Sequence, residues 1–307
     1  MTGKALKNAF HKKSAGKKGE IQLFQAFIDA FNSLGANALA KEYHGNKYQV
    51  IFDEMRGAGR PTPRCELCDV MIIQYPNGHA NAARVTFNQA KVTKNDLGCS
   101  PSKAAVVPDS FGANLEQWDL LSNRPTVRNA TTTFYPPSNL LSDAILPSVG
   151  TFGVFYPLGS SFDFAYYVAC GLRPLSNNPG RTGTLQWLAP MNFISRRAGY
   201  DEITGTCCLE AFGDALEHGL VGTPVWPLLY GPRGSRPMQQ WLRDVLLSLA
   251  QENPDSSLPD ELLNGLELIS IEGERDHLLR DNAPSTPRAV ILVKTPREPP
   301  LLNRRPA

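Results

Sequence analysis

The chain has no uninterrupted apolar run near the roughly 18 residues that a membrane-spanning helix requires. Its N-terminus carries no apolar segment of the kind a secretory signal needs. Both absences lead to the expectation of a soluble, intracellular, cytoplasmic protein with no membrane partner. Net charge is also small: 31 Lys and Arg stand against 29 Asp and Glu, so global charge does not mark a nucleic-acid binder. Histidine is scarce, and His11, His44, His79, His218 and His277 include no pair at metal-ligand spacing. Cysteine offers a single CxxC, Cys65 and Cys68, with no second pair at finger-like spacing, and adjacent Cys207 and Cys208 suit one tetrahedral ion poorly. Six reduced, buried thiols are therefore expected in place of a zinc site. The stretch Tyr230-Gly231-Pro232-Arg233-Gly234-Ser235-Arg236 lacks the Gly-Lys-Ser/Thr of a P-loop. Gly159-Ser160-Ser161 lacks the elbow pattern of a hydrolase. No internal repeat is visible.

What charge there is lies unevenly. Lys4, Lys7, Lys12, Lys13, Lys17 and Lys18 all precede the first acid, Glu20, and Lys294, Arg297, Arg304 and Arg305 face only Glu298 near the other end. Such runs read either as solvated tails or as contacts to a polyanion. After Gly19, the residues Glu20, Leu23, Phe24, Phe27, Ile28, Phe31 and Leu34 recur at three- and four-residue steps, which predicts an amphipathic helix capped by Gly35. Glu20 falls on the inward stripe of its first turn, where the helix dipole favours a carboxylate by about 0.3–1 kcal/mol. A short strand is expected at 48–52. Two further strands, 69–75 and 84–92, flank the turn residues Pro76-Asn77-Gly78 and read as an antiparallel hairpin. Downstream, helices are expected at 115–121, 207–218 and from Pro237, with strands at 150–156 and 289–294, while 157–205 shows no clear period.

The hairpin carries the chemistry. If it is symmetric about its loop, Tyr75 lies across from Ala83 and Asp69 across from Gln89. Paired residues share a face and side chains alternate with period two, so Asp69, Gln89 and Lys91 leave one surface as near neighbours. The first turn of the N-terminal helix is placed to add Glu20. A carboxylate with a strand-end oxygen suits a hard divalent cation. The cation polarises a phosphate and acidifies a bound water, and the lysine stabilises charge in the transition state. The plainer reading is an exposed Asp69–Lys91 ion pair worth about 0–1 kcal/mol. Gln117-Trp118 reads as packing beneath the site or as assisting it, and His79 as a solvated tip residue.

Asp69, a hairpin, Gln89-Ala90-Lys91 and a preceding helix bearing Glu20 together resemble the PD-(D/E)xK restriction-endonuclease superfamily. The stretch 15–160 is most similar to the Mrr-like branch and to nuclease domains of bacterial antiphage effectors in which Q-x-K replaces E-x-K. The resemblance implies an α/β, restriction-endonuclease-like core, a mixed central sheet flanked by helices, followed by a long C-terminal α+β extension. It implies Asp69 as metal ligand, Gln89 at the second acid position, Lys91 as the catalytic lysine and Glu20 as the helix acid completing a Mg²⁺ or Mn²⁺ site. Two departures stand out: Cys65-Glu66-Leu67-Cys68 replaces the glycine-rich approach to the aspartate, and Gln89 is neutral. Glu66 would compensate only if the chain turned it off the face a regular strand dictates.

The expected organisation is a flexible basic arm at 1–14, the nuclease-like core at 15–160, an extension at 161–295 that docks DNA or a protein, and a basic proline-rich tail at 296–307. The expected function is a metal-dependent DNA endonuclease, the nuclease subunit of a bacterial restriction or antiphage system. Lys12, Lys13, Lys17, Lys18, Arg233 and Arg236 would meet DNA phosphates, and homo-oligomerisation is left open. The alternative is a catalytically inactive scaffold or DNA-binding subunit that keeps the fold.

Overall fold

The computed structural model describes residues 3–43, 48–59, 62–95, 97, 109–131, 134–176, 179–269 and 286–296. All but the first residue of the expected basic tail, 296–307, lies outside them. The chain opens with helices α1 (Gly3–Ser14) and α2 (Glu20–Asn32), then strands β1 (Ala38–Glu42), β2 (Gln49–Phe52) and β3 (Arg64–Glu66). The hairpin follows as β4 (Val70–Pro76) and β5 (Arg84–Val92). Next come β6 (Ser110–Asn114), α3 (Leu115–Asn123), β7 (Val127–Asn129), β8 (Gly150–Leu158) and β9 (Ser161–Val168). The stretch without a period holds β10 (Leu172–Pro174), β11 (Thr182–Trp187), β12 (Ile194–Arg197), β13 (Tyr200–Ile203) and β14 (Gly205–Thr206). The last part is α4 (Leu209–Glu217), β15 (Thr223–Pro224), α5 (Val225–Tyr230), α6 (Arg236–Glu252), α7 (Leu258–Gly265) and β16 (Ala289–Thr295).

The fold is α/β with a mixed central sheet, ordered β1-β16-β4-β5-β8-β9-β14, with β15 joined to β5. The β16–β4 and β5–β8 pairs are parallel and the others antiparallel. Residues 70–75 are all buried, as expected of a strand covered on both faces. Alternation along the strands divides the core in two. Val70, Ile72, Ala90 and Ile291 pack with residues of α1, α2 and α4, and Met71, Ile73, Phe87 and Leu292 pack with residues of α5, α6 and α7.

Several expectations are corrected here. Of the flexible arm expected at 1–14, the described residues 3–14 are instead a packed helix: Leu6 and Phe10 are fully buried, and Phe10 stacks on Phe155 at 5.6 Å. A lysine-rich helix hides its two large apolar residues while its charges stay at the rim, which composition alone reads as a tail. Its start lies close on α4, where a Cβ at Gly213 would stand 2.6 Å from the Gly3 Cα. The expected boundary at 160 falls inside the β8–β9 hairpin, where Leu158 pairs with Ser161. Nor is 161–295 an appendage, because β16 lies between β1 and β4 in the central sheet. The strand expected at 48–52 exists as β2 but belongs to a separate β3-β2-β7 sheet, and β1 takes its place in the core. Among the cysteines, Cys65, Cys68, Cys170 and Cys208 are free, whereas Cys207 is disulfide-bonded, contrary to the expectation of six reduced thiols.

Candidate active site

The hairpin register agrees with the sequence expectation. Val70 pairs with Asn88 and Gln74 with Arg84, the alignment that sets Asp69 against Gln89, and the Asp69 N–H donates to the Asn88 carbonyl at 3.0 Å. The chain before Asp69 leaves for the β3-β2-β7 sheet, so β5 continues past the start of β4 and leaves a corner at that end of the hairpin.

Asp69 sits in that corner with a side chain only 6% exposed. Its Oδ2 accepts the Ala90 N–H at 2.8 Å and lies 3.9 Å from Lys91 Nζ. Lys91 Nζ in turn donates to the Ala90 carbonyl at 2.8 Å and stands 3.7 Å from Glu20 Oε1. The first turn of α2, following Gly19 at φ 85°, thus delivers Glu20 to the end of β5. Of the expected catalytic residues, Asp69, Lys91 and Glu20 come together.

Gln89 is wholly buried; its Nε2 donates to the Glu66 carbonyl at 3.3 Å, and its Oε1 has no hydrogen-bond partner among the described residues. Glu66 also belongs to the cluster. Since β3 ends at Glu66 and pairs in another sheet, the face that strand alternation would assign it does not apply. Burial pushes the Glu66 carboxyl above the ordinary 4.5, and the Asp69 charge adds to this while Arg288 and Lys91 oppose it. Burial raises Glu20 as well, against the pull of Lys91 and with a smaller push from Asp69.

One residue of the site escapes the sequence. Arg288, just before β16, sends Nη1 to within 3.3 Å of Asp69 Oδ1 and Nε to within 3.9 Å of Glu42 Oε1, with its guanidinium 5.6 Å from the centre of the Phe24 ring. Arg288 and Asp69 are 219 positions apart, and no local pattern joins them. Glu42, at the end of β1, enters through the same arginine, and its Oε2 is buried without a partner among the described residues. The corner therefore gathers Glu20, Glu42, Glu66 and Asp69 around Lys91 and Arg288.

The oxygen-only donor set, with two orphaned buried oxygens on Gln89 and Glu42, has the chemistry a hard cation takes. Geometry is less complete. Among the described residues no three His, Cys, Asp or Glu side chains converge as a metal cage, and both Asp69 oxygens already have partners. Metal ligation by Glu20 and Asp69 thus requires Arg288 and Lys91 to yield.

The expected phosphate contacts divide between the two layers. Lys12 and Lys13 end α1 and Lys17 and Lys18 lead into α2, so they lie close in the chain to Glu20; Lys12, Lys13 and Lys18 are exposed, and Lys17 lies 3.9 Å from Asp29. Arg233 and Arg236 are exposed at the α5–α6 turn, in the helix layer across the sheet. They do not join the lysines in one patch. Cys65 and Cys68 are buried free thiols whose pKa burial raises well above 9.0. Gln117 is buried and Trp118 packs on the core, its Nε1–H reaching the Leu172 carbonyl at 3.2 Å. His79 is exposed at the hairpin tip. No helix among the described residues is long and apolar enough to cross a membrane. Comparison with protein-family models, with curated proteins and with solved structures finds no match.

Proposed function

We propose that the protein is a metal-dependent DNA endonuclease of the PD-(D/E)xK type, acting in bacterial defence together with other protein subunits. The observation that carries this reading is the placement of Lys91 Nζ, 3.9 Å from Asp69 and 3.7 Å from Glu20 at the end of a two-stranded ribbon. Residues 22 and 71 apart in sequence meet there around one amine.

In this reading Asp69, Glu66, Glu20 and the Gln89 Oε1 would hold Mg²⁺ or Mn²⁺, which would supply phosphate polarisation and a more acidic water. The Ala90 N–H fixes the Asp69 carboxylate. Lys91, held by the Ala90 carbonyl, meets the charge that grows on the phosphate oxygens as the P–O bond breaks. Arg288 leaves Asp69 and turns to the phosphate backbone, for which a guanidinium fork is suited. The exposed Lys12, Lys13 and Lys18 extend the contact along the backbone, and binding weakens steeply with salt.

The test is nicking of supercoiled plasmid in Mg²⁺ or Mn²⁺. Lys91→Ala is expected to lower the rate by about 10²-fold or more. Equal nicking by variant and parent would remove the assignment.

A second reading, an inactive scaffold or DNA-binding subunit, rests on the ion pair between Arg288 and Asp69. If that pair is permanent, it takes the place of a cation. Salt-sensitive DNA binding with neither nicking nor Mn²⁺ uptake would favour it.

A further inference from the structure

At the opposite end of the β4–β5 hairpin from the carboxylate corner lies a cleft of about 470 Å³, within the size range of small-molecule sites. Its lining includes Gln74, Arg84, Tyr200, His218 and Trp226. Gln74 and Arg84 are directly paired across the two strands, so their side chains leave the sheet together. Three features of this pair and its surroundings point to a ligand.

Arg84 is half-buried and makes no ion pair among the described residues, although the charges of Glu202 and Asp201 lie near enough to favour its cation. Its Nη1 donates to the Asp201 carbonyl at 2.8 Å and the Gly222 carbonyl at 3.3 Å, and its guanidinium stands 5.8 Å from the centre of the Tyr200 ring. Nε and Nη2 have no acceptor among the described residues. A half-buried guanidinium with half of its fork unused is suited to an anion that enters the cleft. Beside it, Gln74 is 2% exposed; its Nε2 donates to the Val221 carbonyl at 2.7 Å while its Oε1 has no partner among the described residues. Buried acceptors are normally satisfied. The third feature is an apolar wall: Trp226, partly buried and tilted 44° against the Tyr230 ring at 4.6 Å between centroids, lines the cleft with Pro76, Pro224 and Pro227. A partly exposed indole offers a stacking surface to a planar ring.

We infer that this cleft binds a small planar heterocycle bearing an N–H donor and an anionic group, of the nucleoside monophosphate class. The ring lies on Trp226, the anion meets the free edge of Arg84, and a ring or amino N–H is offered to Gln74. The inference uses none of the carboxylate-corner residues and stands apart from the nuclease reading.

The experiment is calorimetric titration of the full chain with AMP, GMP, CMP and UMP, and with the matching nucleosides. Saturable binding of at least one nucleotide is expected, with its nucleoside at least tenfold weaker because Arg84 loses its anion. Trp226→Leu is expected to weaken binding about tenfold, in line with the contribution of one base–aromatic stack. Arg84→Met should abolish it. If Arg84→Met does not fold, by far-UV circular dichroism, the nucleotide–nucleoside comparison on the parent carries the same information. The inference is overturned if no nucleotide saturates up to about 5 mM, a limit near the millimolar edge of specific affinity. It is equally overturned if nucleosides bind as well as nucleotides, or if Trp226→Leu binds as tightly as the parent.

Discussion

Leu292 tests the claim that the last described strand belongs to the first core. It is fully buried in β16, with Leu39 of β1 on one side and Ile73 of β4 on the other. Its side chain packs into the half of the core closed by α6 and α7. Truncation to alanine removes three buried carbons and leaves a void that neighbours held by two strands refill poorly. Buried Leu→Ala changes cost about 2–5 kcal/mol, rising with the cavity left behind, and a position central in the sheet belongs to the upper half of that range. Urea unfolding reports it directly. With a denaturant slope of about 3 kcal/mol/M for a chain of this size, a loss of about 3.5 kcal/mol moves the midpoint down by about 1 M. A companion fragment, 15–160, should show no cooperative transition, because β1 and β4 lose the strand between them and β8 loses β9. A Leu292→Ala shift under about 0.3 M, equivalent to less than about 1 kcal/mol, would refute the placement of β16. So would cooperative unfolding of the fragment.

Phe10→Ala should cost about 3–5 kcal/mol by the same assay, because Phe10 is fully buried between Phe155 and Phe27, whereas exposed Lys12→Ala should stay within about 0.5 kcal/mol; equal small effects would return residues 1–14 to the status of a loose arm. Glu66 provides a pH test. Its carboxyl pKa is raised in the fold, chiefly by burial, so the folded state holds that proton more tightly than the unfolded chain, and stability falls as pH rises from below the ordinary 4.5 through the raised value. Glu66→Gln should therefore melt above the parent at neutral pH, and the difference should close toward about pH 4, where both states are protonated; a difference that does not change with pH would refute this.

The sequence by itself determined the pieces ruled by local physics. Periodicity placed α2, α4 and α6, since each buries mainly residues three and four apart. Turn chemistry and strand parity placed the β4–β5 hairpin in its register, and with it the meeting of Asp69 and Lys91, because a hairpin is closed by its own neighbours. Where contacts are made across long stretches of chain, that legibility ended. Whether a lysine-rich helix is a tail or a core element depended on whether Phe10 finds Phe155. Tertiary structure alone decided that β16 enters between β1 and β4, that β2 leaves for another sheet, and that Arg288 reaches Asp69 from 219 residues away. The physical reason is the same in each case: backbone ladders and side-chain alternation operate over a few residues, whereas the partner of a strand edge or of a buried charge is selected by the whole packed core.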